Sequence, residues 1–297
     1  MKRPVFLQLV LPIVLVILSF SSGVMAKEKI LWVKWKLVPE YIEDGEFANQ
    51  GYLDKFLADT IKRFPEYAHS TEFQSISRLD RSWDSGNVCT VHLWLGYWPD
   101  KILYSKPYGF TPRFGIVTQR DSELAKRYAD KESVSLKALL DDTDFQVGML
   151  PLMIQGTDNS RYPQLKSTLL ARMNNGNIKE FSNSRNEMSV EYLDRGRVDY
   201  IIRQRITHYT ELKIKKRPDQ YRFYYLDEGM TYKQVAAACS NTKLGHTVIE
   251  KFNSLMGDEL FEAYLNYRQE WDTDNKVYEK VYRDYFIHNQ PNPFVVE

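Results

Sequence analysis

The sequence predicts an α/β fold built around a parallel sheet. Strand-like and helix-like patterns alternate through the first third of the chain, and the alternation returns in the middle. The last segments are helical. KILWVKWKL (29–37) alternates β-formers and reads as a first strand. Pro39, the Asp44–Gly45 pair and Gly51 mark a loop. YLDKFLADTIKRF then places Leu53, Phe56, Leu57 and Ile61 at helical spacing. STEFQSIS (70–77) fits a second strand, RLDRSWDSG (78–86) a short helical piece, and NVCTVHLWL (87–95) a third strand.

The same patterns give strands at 113–119, 145–150, 178–183, 198–204, 221–226 and 233–240. They give helices at 133–140, 161–174, 186–196, 244–256, 258–271 and 276–286. No repeat or low-complexity segment interrupts them.

The N-terminus addresses the chain for export. Lys2 and Arg3 precede an apolar run from Pro4 to Phe20, and VMA ends at Ala26 before the charged KEK. That layout predicts a secretory signal peptide over 1–26, cleaved after Ala26. An uncleaved membrane anchor is the rival reading, because the run approaches the length of a span. Cleavage takes the net charge from +1 to −1, since two basic residues and no acidic ones leave. A near-neutral chain without a basic block is a poor nucleic-acid binder. Aromatic content of 14 % is high, and Tyr and Trp pair an apolar face with a polar handle that suits binding surfaces. The two cysteines, Cys89 and Cys239, are read first as a bridge in an exported protein, with two buried thiols as the alternative.

Catalytic signals are weak. His69, His92, His208, His246 and His288 are scattered, and none pairs at metal-ligand spacing with Cys or another His. No nucleophile-elbow pattern occurs. No cofactor, metal or catalytic residue is expected.

Six segments in order carry a resemblance. NQGYLDKFLADTIKRF gives a glycine-led helix, GNVCTVHLWL a strand, and YSKPYGF an aromatic-Ser-x-Pro-Tyr signature. SLKALLDDTDFQVGM, LDRGRVDYII and VAAACSNTKLGHTVIEKFN follow. The chain resembles a divergent member of the bacterial extracellular solute-binding proteins of family 3, the periplasmic proteins of polar-amino-acid uptake. The resemblance implies a type II periplasmic-binding fold, with two lobes joined by two crossover strands. Lobe one would be 27–117 plus 236–297, and lobe two 118–235. It implies a periplasmic monomer with a small ligand in the interlobe cleft, partnered by a membrane permease or a sensor receptor. An exported enzyme on the same fold, dehydratase-like, is the alternative. It also implies a return strand running antiparallel beside the third strand, which brings Cys89 and Cys239 together as a disulfide.

Two groups of that family are missing here. The arginine that grips the ligand carboxylate lies six residues before the signature's aromatic; here that position is Trp98. The carboxylate that meets the ligand ammonium lies five residues after Asp199; here it is Gln204. A zwitterion without either partner would keep unpaired buried charges, so a standard free amino acid is not the expected ligand. The resemblance points Trp35, Tyr41, Trp94, Tyr97, Trp98 and Tyr108 toward the cleft, where rings can stack on flat or cationic groups. Trp94, and to a lesser degree Trp98, is also readable as core by strand alternation, and Tyr104 as packing. Arg113 is either a ligand contact or a solvated hinge charge. Gln155 and Thr157 precede a helix and can present N–H groups to an anion, or simply cap it. Ser184 and Arg185 open another helix near the cleft. Arg203 and Arg205 flank Gln204 and read as surface charges.

Overall fold

A computed structural model describes residues 26–154, 158–182, 188–217, 220–229, 232–272 and 275–291. All but the last residue of the expected signal peptide lie outside the described residues. Among the described residues no helix is long and apolar enough to cross a membrane.

The strands are β1 (Lys29–Lys34), β2 (Ala68–Phe73), β3 (Val88–Trp94), β4 (Ile102–Tyr104), β5 (Gly109–Thr111) and β6 (Phe114–Gln119). They continue with β7 (Ser133–Val134), β8 (Val147–Met149), β9 (Ile178–Glu180), β10 (Tyr200–Gln204), β11 (Tyr221–Leu226) and β12 (Lys233–Ser240). The helices are α1 (Tyr52–Lys62), α2 (Ile76–Ser82), α3 (Glu123–Arg127), α4 (Leu136–Asp141) and α5 (Lys166–Leu170). They continue with α6 (Glu191–Asp194), α7 (Arg205–Lys215), α8 (Lys243–Ser254), α9 (Asp258–Gln269) and α10 (Lys276–Tyr282).

These strands form two six-stranded sheets, as the α/β alternation requires. In the first, β1 is parallel to both β2 and β3, with α1 and α2 as the crossovers. β12 returns antiparallel to β3, β4 and β5. That register sets Cys239 opposite Cys89, and the two close a disulfide. In the second sheet β6 is antiparallel to β10 and β11, while β8 is parallel to β10 and β9. β7 pairs with β11 at the edge.

The sheets part between Thr111 and Phe114, and again between Leu226 and Lys233. The sequence reading places these divisions after 117 and after 235. They fall earlier because β6 pairs along its whole length with second-sheet strands. Likewise β12 pairs with β5 from Lys233 onward.

Each sheet has its own core. The first is ring-rich: Phe56 and Tyr108 lie 4.9 Å apart, Tyr108 and Tyr264 5.1 Å, and Tyr264 and Tyr282 5.7 Å. α1 contributes Leu53, Phe56 and Leu57 to it, the stripe its helical spacing predicts. Burying each such side chain stabilises by roughly 1.5–3 kcal/mol. The second core is mainly aliphatic, with Ile116, Val117, Leu136, Val147, Leu165 and Ile201 fully enclosed.

Helix α7 is absent from the sequence reading. Its inward face carries Thr207, His208 and Thr210 beside Ile206 and Leu212, so polar residues occupy buried positions and mask the apolar period. The short strands β4 and β5 and the five-residue α3 were likewise not anticipated.

Candidate functional site

In each sheet two parallel strands end at one place. Trp35 follows β1 and Trp94 ends β3; Leu150 follows β8 and Gln204 ends β10. These four ends surround a cavity of about 140 Å³ between the sheets. A crevice outside the carboxyl ends of parallel strands is where α/β sheets bind ligands.

The first sheet supplies the rings. Trp35 donates its indole N–H to Glu40 Oε2 at 3.1 Å. Trp94 donates to Thr111 Oγ1, and its ring meets Tyr97 edge-on at 5.4 Å. The turn after β3 aims Tyr97 and Trp98. Gly96 takes φ 85° and Trp98 φ 48°, a left-handed conformation that bulky residues rarely adopt. Tyr104 holds this turn through its hydroxyl, 3.0 Å from the Trp94 carbonyl and 2.5 Å from that of Tyr97. The Trp98 indole nitrogen is buried without a hydrogen-bond partner among the described residues.

Glu40 is placed by α1. The free amides of Tyr52 and Leu53 donate to the Pro39 and Glu40 carbonyls, each at 3.0 Å. Gly51 makes that approach possible, since a Cβ there would lie 2.3 Å from the Glu40 carbonyl oxygen. Burial pushes the Glu40 carboxyl up to about 7, against hydrogen bonds from Trp35 and Tyr52 and the more distant Arg268. His92, also on this wall, is lowered by burial and by Arg268 to about 3, so it is neutral at physiological pH.

The second sheet supplies Phe114, Leu150, Tyr162, Met188 and Ile202, with Arg161, Arg203, Gln204 and Thr207. Arg161 follows a bridge between Met153 and Ser160, and its Nη1 donates to the Met153 carbonyl at 3.2 Å. Arg203 is only 3 % exposed. It pairs with Glu211 and donates to the Thr207 carbonyl at 3.2 Å, tying β10 to the first turn of α7. Burial raises Glu211, but Arg203 and Lys215 outweigh it and hold this carboxyl at about 2.

The lobes touch around the cavity. The Tyr97 hydroxyl donates to the Ser160 carbonyl at 2.5 Å. Arg205 pairs with Asp272, and Lys213 lies 5.0 Å from the Trp271 ring. Arg205 is therefore a charge that bridges the lobes, and Arg203 a buried charge paired within the second, not the surface charges expected from strand alternation. A wider cleft of about 700 Å³ opens alongside, between residues 36–47 and residues 189–215, and Thr207 borders both spaces.

Of the residues singled out from the sequence, Trp35, Trp94, Tyr97, Trp98 and Gln204 line the cavity. Tyr41 is wholly buried, edge-on to Trp35 at 5.4 Å, and borders the wider cleft. Tyr108 is core: it is fully buried and its hydroxyl donates to the Val91 carbonyl. The mispointing has a simple cause, since β5 turns it under α1 and α9 against Phe56 and Tyr264. Arg113 does not reach the cavity either; it stacks on Tyr225 at 4.9 Å and donates to the Leu226 carbonyl at 3.2 Å, bracing the link between the sheets. Gln155, Thr157, Ser184 and Arg185 lie outside the described residues. Glu40 and Arg161 were not singled out. The signals were a carboxylate beside Pro39 just past a strand end, and a guanidinium just past the TDNS loop.

No protein-family model and no curated protein matches the sequence. Solved structures do match. The substrate-binding protein of an amino acid ABC transporter is 15 % identical, covering 83 % of this chain and 100 % of its own, with a TM-score of 0.56. The arginine-, lysine-, histidine-binding protein ArtJ from Geobacillus stearothermophilus is 14 % identical, covering 84 % and 96 %, with a TM-score of 0.57. A periplasmic VFT2 domain of Bordetella pertussis BvgS is 12 % identical, covering 82 % and 92 %, with a TM-score of 0.54. The chain thus has the two-lobed α/β fold of the periplasmic-type binding proteins.

Proposed function

We propose that this protein is an exported, periplasmic solute-binding protein that works as a monomer. It captures a small polar ligand between its lobes and presents it, unchanged, to a membrane partner, either an importer's permease or a signalling receptor. One observation carries this reading: the cavity at the strand ends is walled by both sheets and lined by Trp35, Trp94, Tyr97 and Trp98. Such rings stack on flat or cationic groups, while Gln204 and Thr207 offer hydrogen bonds. The fold's solved relatives, which include transporter binding proteins and a periplasmic VFT domain, support the role. Trp98 and Gln204 stand where the usual grips on an α-amino acid would be, so such an amino acid held in the usual way is not the ligand.

A thermal-shift screen of small metabolites tests the proposal, because a ligand that binds the folded state raises its melting temperature by mass action. A hit whose shift disappears in Trp94→Ala is the expected result. A hit indifferent to Trp94→Ala and Trp98→Ala would move the site elsewhere, and turnover of the hit seen by mass spectrometry would make the protein an enzyme.

A further inference from the structure

We propose that the cavity has a fixed charge axis, with Glu40 on the first lobe facing a ligand cation and Arg161 on the second facing a ligand anion. The ligand class is then a small zwitterion with its charges at opposite ends of its body, of which an ω-amino acid is the simplest. This rests on the reading of the cavity as the ligand site.

Both charges border the same small space, and among the described residues neither is ion-paired, with each other or with any other group. The Glu40 carboxylate receives only neutral donors, the Trp35 indole at 3.1 Å and the Tyr52 hydroxyl at 3.2 Å. Among the described residues no cation comes within ion-pairing distance of it. Arg268 acts from farther off and is held between the Tyr52 and Tyr278 rings, at 5.3 and 4.0 Å. Arg161 spends one N–H on the Met153 carbonyl, and among the described residues no carboxylate pairs with it. Glu180, which acts on it electrostatically, is turned to the Leu152 amide at 2.7 Å. The remaining ionisable groups of the cavity do not compete. Arg203 is neutralised by Glu211, and His92 is uncharged. Two desolvated charges without partners are costly, and a ligand that brings both opposites relieves both.

Placement on opposite lobes sets the ligand's shape. An α-amino acid carries its two charges on one carbon. Here Glu40 is held by the start of α1 and Arg161 by the bridge after β8, with the Trp35 and Trp94 rings between the lobes to cover an apolar body. The buried, unpartnered Trp98 N–H adds one donor for a ligand oxygen.

Proton linkage follows from the same wall. Around Glu40 stand Tyr41 on its own loop, Tyr52 on α1, His92 on β3, Tyr108 next to β5, and Tyr264 and Arg268 on α9. Burial pushes all four tyrosines up and the histidine down, and the arginine stays charged. Glu40 is therefore the group of this wall that titrates near neutrality. A ligand cation favours its ionised form, so affinity rises as pH rises through about 7.

Calorimetric titration of the full chain with 5-aminopentanoate, and with pentylamine, pentanoate and norvaline as controls, tests the proposal. 5-Aminopentanoate should bind at least about tenfold more tightly than each control, a difference expected of charge-assisted hydrogen bonds at both ends. Glu40→Gln should lose that advantage while leaving pentanoate binding unchanged; Arg161→Gln should lose it while leaving pentylamine binding unchanged. In the unaltered chain, affinity should rise between about pH 6 and about pH 8, and Glu40→Gln should flatten the profile. The pH profile stands even where a variant folds poorly. Failure of 5-aminopentanoate to bind, tightest binding by norvaline, or indifference to both variants overturns the charge axis. A screen hit lost in Trp94→Ala but untouched by Glu40→Gln and Arg161→Gln overturns the axis alone. A hit untouched by both Trp94→Ala and Trp98→Ala overturns the cavity reading itself.

Discussion

The two lobes build their cavity walls by different physics. The first stacks rings on a ring-filled core: Trp35, Trp94, Tyr97 and Trp98 stand on a layer of Phe56, Tyr108, Tyr264 and Tyr282, and the Cys89–Cys239 bridge ties the two central strands. The second has an aliphatic core and fixes its wall by charge, with the Arg203–Glu211 pair holding α7 against β10 and Lys215 flanking Glu211 along α7. Packing sets the first wall, so volume and backbone changes should damage it. Ion pairing sets the second, so charge deletion and acid should damage it.

The largest expected effect falls on the first lobe. The disulfide joins residues 150 positions apart, and closing so long a loop restricts the unfolded chain strongly. Replacing both cysteines by alanine should cost about 4 kcal/mol in denaturant unfolding; a loss under about 1 kcal/mol would show that β3 and β12 hold without it. Next comes the second lobe. Arg203→Ala leaves the buried Glu211 with Lys215 as its one ion-pair partner among the described residues, beside the neutral donors Ser189 and Val190, and should cost about 3 kcal/mol. A neutral outcome would mean that packing, not charge, anchors α7. Gly51→Ala should cost about 2 kcal/mol, because its Cβ would strike the Glu40 carbonyl. It should also weaken ligand binding by displacing Glu40, whereas an alanine tolerated in both assays would free the loop from α1.

The smallest effect is the sharpest contrast, since pH acts on the two walls' carboxyls, Glu40 and Glu211, with opposite sign. Glu40 is raised to about 7 from 4.5, so the free protein's stability from this group is full below about 4.5 and is lost as pH rises through about 7. Glu211 is held at about 2, so its contribution is full above about 4.5 and is lost as pH falls through about 2. His92 and His208, each lowered to about 3, add the same acid sensitivity to both lobes below about 6.5. Between about pH 4.5 and about 6.5 Glu40 opposes the histidines, so thermal stability should rise more steeply with pH in Glu40→Gln than in the unaltered chain, while Arg203→Ala should keep that opposition. The reverse pattern would break the comparison.

How far the sequence could be read follows the same division. Where apolar period and burial agree, as in β1, α1, β3 and β12, the elements were legible, while the antiparallel return that pairs the cysteines was implied only by the family resemblance. α7 was not, because Thr207, His208 and Thr210 face inward and are satisfied by tertiary contacts that no period reveals. The rings around the cavity were visible as a crowd, but which faced inward was not. Tyr108 sits in the same signature as Tyr104 and turns into the core because β5 pairs with β12. Glu40 and Arg161 are not marked in the sequence because a lone charge in a loop looks solvated until the fold packs buried groups around it. Family spacing pointed to the missing charges at Trp98 and Gln204; only the fold shows charges entering the same space from other positions.

The central claim is that ligand sits in the small cavity at the strand ends. A crystal structure of the complex with the strongest thermal-shift hit tests it most directly. The account predicts ligand density in contact with Trp35, Trp94 and Trp98, with both lobes touching it. Density confined to the wider cleft between residues 36–47 and α7, or on the outer surface, would contradict it.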